Sequence, residues 1–161
     1  MESQKQKKLM DAFMEKLLIK YCKLNSIKVE DIKGKSREKG LPTHRHIFAY
    51  CMREYYRVKL WRIGKALNKE QTRYGIRLVK DFLELYKDKD VNVVPPTINL
   101  IKIRIKAFIN VCKKYDRPDR KDYADFSWLC DDEHDTTENL NTDVICDIEK
   151  YMRNNPDDAD W

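Results

Sequence analysis

Apolar positions recur at helical spacing through most of this chain. Leu9, Met10, Phe13, Met14, Leu17, Leu18, Tyr21 and Cys22 step by threes and fours, with Lys16, Lys20 and Lys23 on the other faces. That predicts an amphipathic first helix whose stripe needs a partner within the same domain. Between Leu24 and Leu41 the pattern becomes LNSIKVEDIKGKSREKGL. Ile27, Val29 and Ile32 suffice to anchor a short helical turn, after which Lys33, Lys35, Arg37 and Lys39 alternate with Gly34 and Gly40 in a mobile, strongly positive loop. Gly34-Lys35-Ser36 imitates the end of a phosphate-binding loop, but Val29 stands where that motif needs its first glycine and no strand precedes it, which excludes nucleotide binding of that kind. Pro42 and Thr43 open the next helix, with Arg45 and His46 in its first turn. His44 and His46 are separated by one residue and face different directions on a helix, so exposure or phosphate contact suits them better than a metal pair.

The stretch from His44 to Asp88 organises the rest. Ile63, Ala66 and Leu67 keep a helical period, Asn68-Lys69-Glu70-Gln71 breaks it, and Leu78, Val79, Phe82, Leu83 and Tyr86 resume it. This reads as helix, turn, helix, with Trp61 expected to pack the core between them. Thr72 is placed to cap the second helix, and Arg73, Tyr74 and Arg77 then project from its first turns, where a recognition helix meets base edges. Pro95-Pro96 forbids continuation of that helix, and Thr97 caps another to about Tyr115 with a stripe of Ile98, Ile101, Ile105, Phe108, Ile109 and Cys112. The alternation from Ile101 to Lys106 would also suit a strand, but a run free of Gly and Pro favours helix. Beyond Arg117-Pro118, Tyr123, Phe126, Trp128 and Leu129 lie among acids, and Leu140, Val144, Ile148 and Tyr151 mark one side of a last amphipathic helix.

Composition agrees with an all-α chain. In 161 residues there are only 4 glycines and 5 prolines, far fewer than the turns of a sheet protein require. Three segments emerge: a helix-turn-helix bundle over 1–90, an additional helix over 91–121 that extends the core or offers a homodimer face, and an acidic, partly helical interaction tail over 122–161.

The net charge of +6 conceals an asymmetry. Residues 1–121 hold 31 Lys/Arg against 14 Asp/Glu, a balance of +17, whereas residues 122–161 hold 2 against 13, a balance of −11. A basic body suits phosphate neutralisation, and an acidic tail suits a basic protein partner or the body itself.

The five cysteines, Cys22, Cys51, Cys112, Cys130 and Cys146, contain no Cys-x-x-Cys, and Cys130, His134 and Cys146 match no common zinc spacing. No metal or cofactor is expected. The amino terminus has no apolar leader core and no run approaches the roughly 20 residues of a membrane span. A reduced, soluble, cytoplasmic protein without a membrane partner follows. No hydrolase, metalloprotease or dinucleotide-loop constellation occurs, so an enzyme is not expected.

Taken in order, Tyr21-Cys22, the segment Val29-Glu30-Asp31-Ile32-Lys33-Gly34-Lys35-Ser36-Arg37, Arg45-His46-Ile47 with Tyr50 and Arg53-Glu54, then Ile63-Gly64 and Ala66-Leu67 resemble one known domain. It is the C-terminal DNA-binding domain (domain IV) of the bacterial replication initiator DnaA, a Trp-repressor-like helix-turn-helix bundle. The likeness covers about Leu17 to Tyr86. It implies phosphate and minor-groove contact through Arg37 and Arg45, counterparts of the family's loop and helix-start arginines. Where the family reads bases with Gly-Arg-Asp-His-Thr-Thr-Val, this chain has Lys69-Glu70-Gln71-Thr72-Arg73-Tyr74-Gly75, which implies a different base choice. No ATPase domain precedes it here.

The function expected is selective binding of double-stranded DNA by a transcription regulator or replication accessory protein of phage or mobile-element type. The alternative is a non-enzymatic interaction or structural protein acting through its tail. Lys33, Lys35, Arg37, Lys39, Arg45, His46 and Lys59 are the expected backbone contacts, Gln71, Arg73, Tyr74 and Arg77 the expected base readers, and Thr72 completes the expected DNA-binding set at the start of their helix. Six phosphates engaged by lysine and arginine would give a slope of log affinity against log salt of about −5.

Overall fold

A hydroxyl starts the first helix. Ser3 Oγ accepts from the Gln6 backbone N–H at 3.2 Å while the Gln6 side chain accepts from the Ser3 N–H at 3.3 Å, a reciprocal cap that satisfies two donors left over at the helix start. A computed structural model describes residues 3–69, 72–87, 89, 94–119 and 123, without the Lys39 side chain. Among these residues there are six helices and no strand: α1 (Gln4–Leu24), α2 (Val29–Lys33), α3 (Leu41–Glu54), α4 (Leu60–Leu67), α5 (Arg73–Leu85) and α6 (Pro96–Cys112), with one 3-10 turn at Glu38–Gly40. The expected helix at the end of the acidic tail and the Cys130, His134 and Cys146 grouping lie outside the described residues. No described helix is long and apolar enough to cross a membrane.

Helix α3 forms the axis, with α2, α4, α5 and α6 laid against it. Ile47, Phe48, Ala49, Cys51 and Met52 are all buried there, more of the circumference than an amphipathic surface helix covers. The α1 stripe from Met10 to Cys22 packs into the same core, while Leu9, Ile19 and Leu24 of the same helix are left exposed. At the centre the Tyr21 ring meets Phe108 edge-on at 4.9 Å between centroids and Phe48 at 5.8 Å. Such edge-to-face pairs add roughly 0.5–1.5 kcal/mol beyond the area they bury. Ile98, Ile101, Ile105, Phe108, Ile109 and Cys112 of α6 belong to this same core, so the alternating segment is helical and faces inward. Cys22, Cys51 and Cys112 are buried free thiols, acting as small hydrophobes.

Several cations tie the helices of the fold together. Arg62, 2% exposed, donates to Asp11 Oδ1 at 3.0 Å, and Lys65 donates to Asp11 Oδ2 at 3.0 Å, tying α4 to α1. Arg117 donates from Nη1 to the Tyr56 carbonyl at 2.8 Å and grips Asp119 through Nε and Nη2. The Tyr56 hydroxyl in turn lies 2.7 and 2.8 Å from the carbonyl oxygens of Cys112 and Tyr115, securing the end of α6.

Two expectations are corrected here. Trp61 does not pack the core but is 54% exposed, with the Arg62 guanidinium 4.5 Å from its ring. Ile63 and Leu67 already fill the inward stripe of α4, and Trp61, two residues before Ile63, lies about 200° away around the helix. His44 is neither exposed nor a phosphate contact. It is 2% exposed, and its Nδ1 lies 2.8 Å from the Tyr21 hydroxyl.

Burial first, and the positive charge of Arg104 second, hold His44 well below its ordinary value of 6.5, so it stays neutral in the fold. The unfolded chain protonates this imidazole below about pH 6.5 and the folded chain does not, so stability is lost as pH falls through that value, by up to about 1.4 kcal/mol per pH unit. A His44→Gln variant is expected to be less stable at pH 7.5 yet to decline less between pH 6.5 and 5 in urea melts. Equal slopes for the two proteins would exclude His44 as the group responsible.

Candidate nucleic-acid interface

The end of α4 and the start of α5 are set by close backbone approach. Asn68 takes the left-handed conformation at φ 56°, its N–H donates to the Lys65 carbonyl at 3.2 Å, and the Lys69 N–H donates to the Gly64 carbonyl at 2.8 Å. This paired closure satisfies the carbonyls that a helix leaves unbonded at its C-terminus. It folds the chain back so tightly that a Cβ on Gly64 would sit 2.5 Å from the Lys69 carbonyl oxygen. A Cβ on Gly75, in the first turn of α5, would sit 2.2 Å from His46 Cδ2, so the helix rides directly on the imidazole of α3.

Thr72 occupies the N-cap position of α5 as expected but makes no side-chain capping bond, and it is buried instead. Helix α5 turns Ile76, Val79 and Leu83 toward the core and leaves Arg73, Tyr74 and Arg77 exposed, Tyr74 at 60%. Arg73 and Arg77 are four residues apart and share one face. Gln71 and the Lys39 side chain lie outside the described residues.

Beside this turn lies a cleft of about 420 Å³ bordered by the basic loop, α3 and the segment after α4. Lys35, Arg37, Arg45, His46, Thr72 and Tyr74 line it, so six of the expected site residues converge. Lys69 lines it too, a residue whose local sequence marks only a turn. Its ammonium donates to the Gly34 carbonyl and, at 3.4 Å, to the Lys33 carbonyl, pinning the base of the basic loop. Burial, then the charges of Arg45 and Lys35, lower the Lys69 pKa. None of the described residues lining the cleft is acidic.

Not every expected cation faces outward. Arg45 is 8% exposed and donates from Nε to the Ile32 carbonyl at 2.7 Å and from Nη2 to the Asp31 carbonyl at 2.9 Å, closing the last turn of α2. Its guanidinium therefore holds the loop first and reaches the cleft only by its remaining edge. Burial lowers its pKa. Lys33 grips both oxygens of Glu15 on α1, at 2.9 and 3.0 Å. Lys59 is exposed at the start of α4 but does not border the cleft. A phosphate would have to displace a partner from Lys33; Lys35 and Arg37 are exposed residues of the basic loop.

In an ordinary helix Gly→Ala adds up to about 1 kcal/mol of stability. At Gly64 the obstacle is a backbone carbonyl that cannot swing away, and at Gly75 it is a side chain that can. Gly64→Ala is therefore expected to cost about 2–3 kcal/mol in urea unfolding, and Gly75→Ala about 1 kcal/mol or less, with a displaced α5 start. The reverse ranking would mean that these approaches do not set the geometry. In comparisons with protein-family models, curated proteins and solved structures, the chain matches none of them.

Proposed function

We propose that this chain binds double-stranded DNA, with α4, the connection 68–72 and α5 serving as a helix-turn-helix and α5 entering the major groove. In this reading Arg73, Tyr74 and Arg77 meet base edges, while Lys35, Arg37 and Lys69 hold the flanking phosphates. The likeness of residues 17–86 to domain IV of the initiator DnaA points the same way, and gives a Trp-repressor-like arrangement for the bundle. The role that fits is a non-enzymatic transcription regulator or replication accessory protein. One observation carries the reading: the exposed first turn of α5 and the basic loop border a single cleft whose described lining holds cations and no acid.

Arg45 and Lys33 are already bonded within the fold, so the expected cation count changes. Lys35, Arg37 and Lys69 on three phosphates would give a slope of log affinity against log salt of about −2.7. A second reading, a protein-binding module, is favoured by Trp61, whose 54% exposure on α4 is unusual for so large an apolar ring.

Gel shift of labelled duplexes across a salt series separates the two. Arg73→Ala and Arg77→Ala are expected to weaken selected sites by about 1–3 kcal/mol each and to relax base preference. Arg37→Ala should weaken all sequences alike and flatten the salt slope by about 0.9. No binding even at low salt removes the DNA reading. For the acidic tail we propose that it competes with DNA for the basic surface. Removing residues 124–161 keeps Tyr123, whose ring packs on Tyr55 and Tyr56, and is expected to tighten duplex binding. Unchanged affinity would assign the tail to a protein partner instead.

A further inference from the structure

The shape of the cleft says more than its charge. Duplex phosphates are convex rails that exposed lysines can meet on any flat surface, whereas this site is concave, and its 420 Å³ lies within the roughly 300–1,000 Å³ of small-molecule sites. Its floor is apolar, made by Pro42, Ala49 and Leu67, and the half-exposed ring of Tyr74 stands at one wall. Lys35, Arg37 and Lys69 reach it from two segments far apart in sequence.

The site is also built rather than accidental. The loop bearing Lys35 and Arg37 is tied at its base by the bonds of Arg45 to the Asp31 and Ile32 carbonyls and of Lys69 to the Gly34 carbonyl. An ammonium has three donors, so Lys69 can hold the loop and still offer a proton to an anion. Cations gathered against an apolar floor with an aromatic wall match an anion that carries a flat, weakly polar body; a bare inorganic ion would leave the floor and the ring unused.

We propose that this cleft binds a single nucleotide, its phosphate on Lys35, Arg37 and Lys69 and its base against Tyr74 and the Pro42, Ala49 and Leu67 floor. The nucleotide could arrive free or as a unit of a DNA strand, and the two sources share this chemistry. The inference shares Lys35, Arg37, Lys69 and Tyr74 with the proposed DNA contact, but it needs neither Arg73 nor Arg77.

Calorimetric titration of the full chain with adenosine monophosphate, adenosine and inorganic phosphate tests it. The monophosphate is expected to bind at least tenfold tighter than either of the others. Lys35→Gln and Lys69→Gln should each weaken it about tenfold, and Tyr74→Ala should weaken the monophosphate but not inorganic phosphate. Lys35 is exposed and holds no structural bond of Lys69's kind, so its variant keeps the test valid if Lys69→Gln loosens the loop. Binding of a single-stranded oligonucleotide that is lost in Tyr74→Ala would identify the strand as the source, and monophosphate binding without oligonucleotide binding would identify a free nucleotide. No binding of the monophosphate, or binding no tighter than inorganic phosphate, overturns the proposal. In that event duplex binding lost in Arg77→Ala would still support groove reading, and nucleotide binding without duplex binding would sink only the latter.

Discussion

Helix α3 must be buried on most of its surface, yet it carries His44 and Arg45 near its start, and this conflict shapes the molecule. A polar group taken out of water costs roughly 1–3 kcal/mol unless it finds a partner. His44 finds the Tyr21 hydroxyl on α1, and Arg45 finds the carbonyls at the end of α2. Each solution fixes a neighbouring helix to α3 with the directionality that apolar packing lacks. The same few residues that satisfy their own polarity therefore set where the basic loop leaves α2.

Positive charge in this chain divides into two populations. Arg62, Arg117, Arg45 and Lys33 are engaged inside the fold, on Asp11, Asp119, the α2 carbonyls and Glu15. Lys35, Arg73 and Arg77 stand at the surface, and Lys69 does both. Counting basic residues overstates the interface, because a guanidinium with planar, multiple donors is well suited to closing a helix end as well as to holding a phosphate. The strength of the proposed DNA contact thus rests on fewer groups than a balance of +17 over residues 1–121 suggests.

Two glycines connect this electrostatic arrangement to the shape of the surface. Gly64 lets the chain turn back on α4, and Gly75 lets α5 settle on His46. Both approaches lie beside the cleft that the basic loop, the segment after α4 and the first turn of α5 border together. Trp61 on the outer side of α4 is the feature least explained by DNA binding. Its ring lies over Arg62, which is itself bonded to Asp11, so its place is set by that pair.

The helices were legible in the sequence because their signal is local. The stripes of α1 and α6, the break at Asn68 and the restart after Thr72 all follow from apolar spacing and from residues that tolerate the left-handed region. The exposure of Arg73, Tyr74 and Arg77 followed too, since it is the complement of the Ile76, Val79 and Leu83 face. What tertiary structure alone decided is which polar groups pair across the chain. Lys69 lies 35 residues from Gly34, and Arg45 lies 13 from Ile32. Nothing in the residues next to them distinguishes a lysine that pins a loop from one that faces water. Hydrophobic periodicity reports which side of a helix is inward; it carries no information about which other helix arrives there. The burial of His44, the outward turn of Trp61 and the recruitment of Lys69 to the cleft all depend on that arrival.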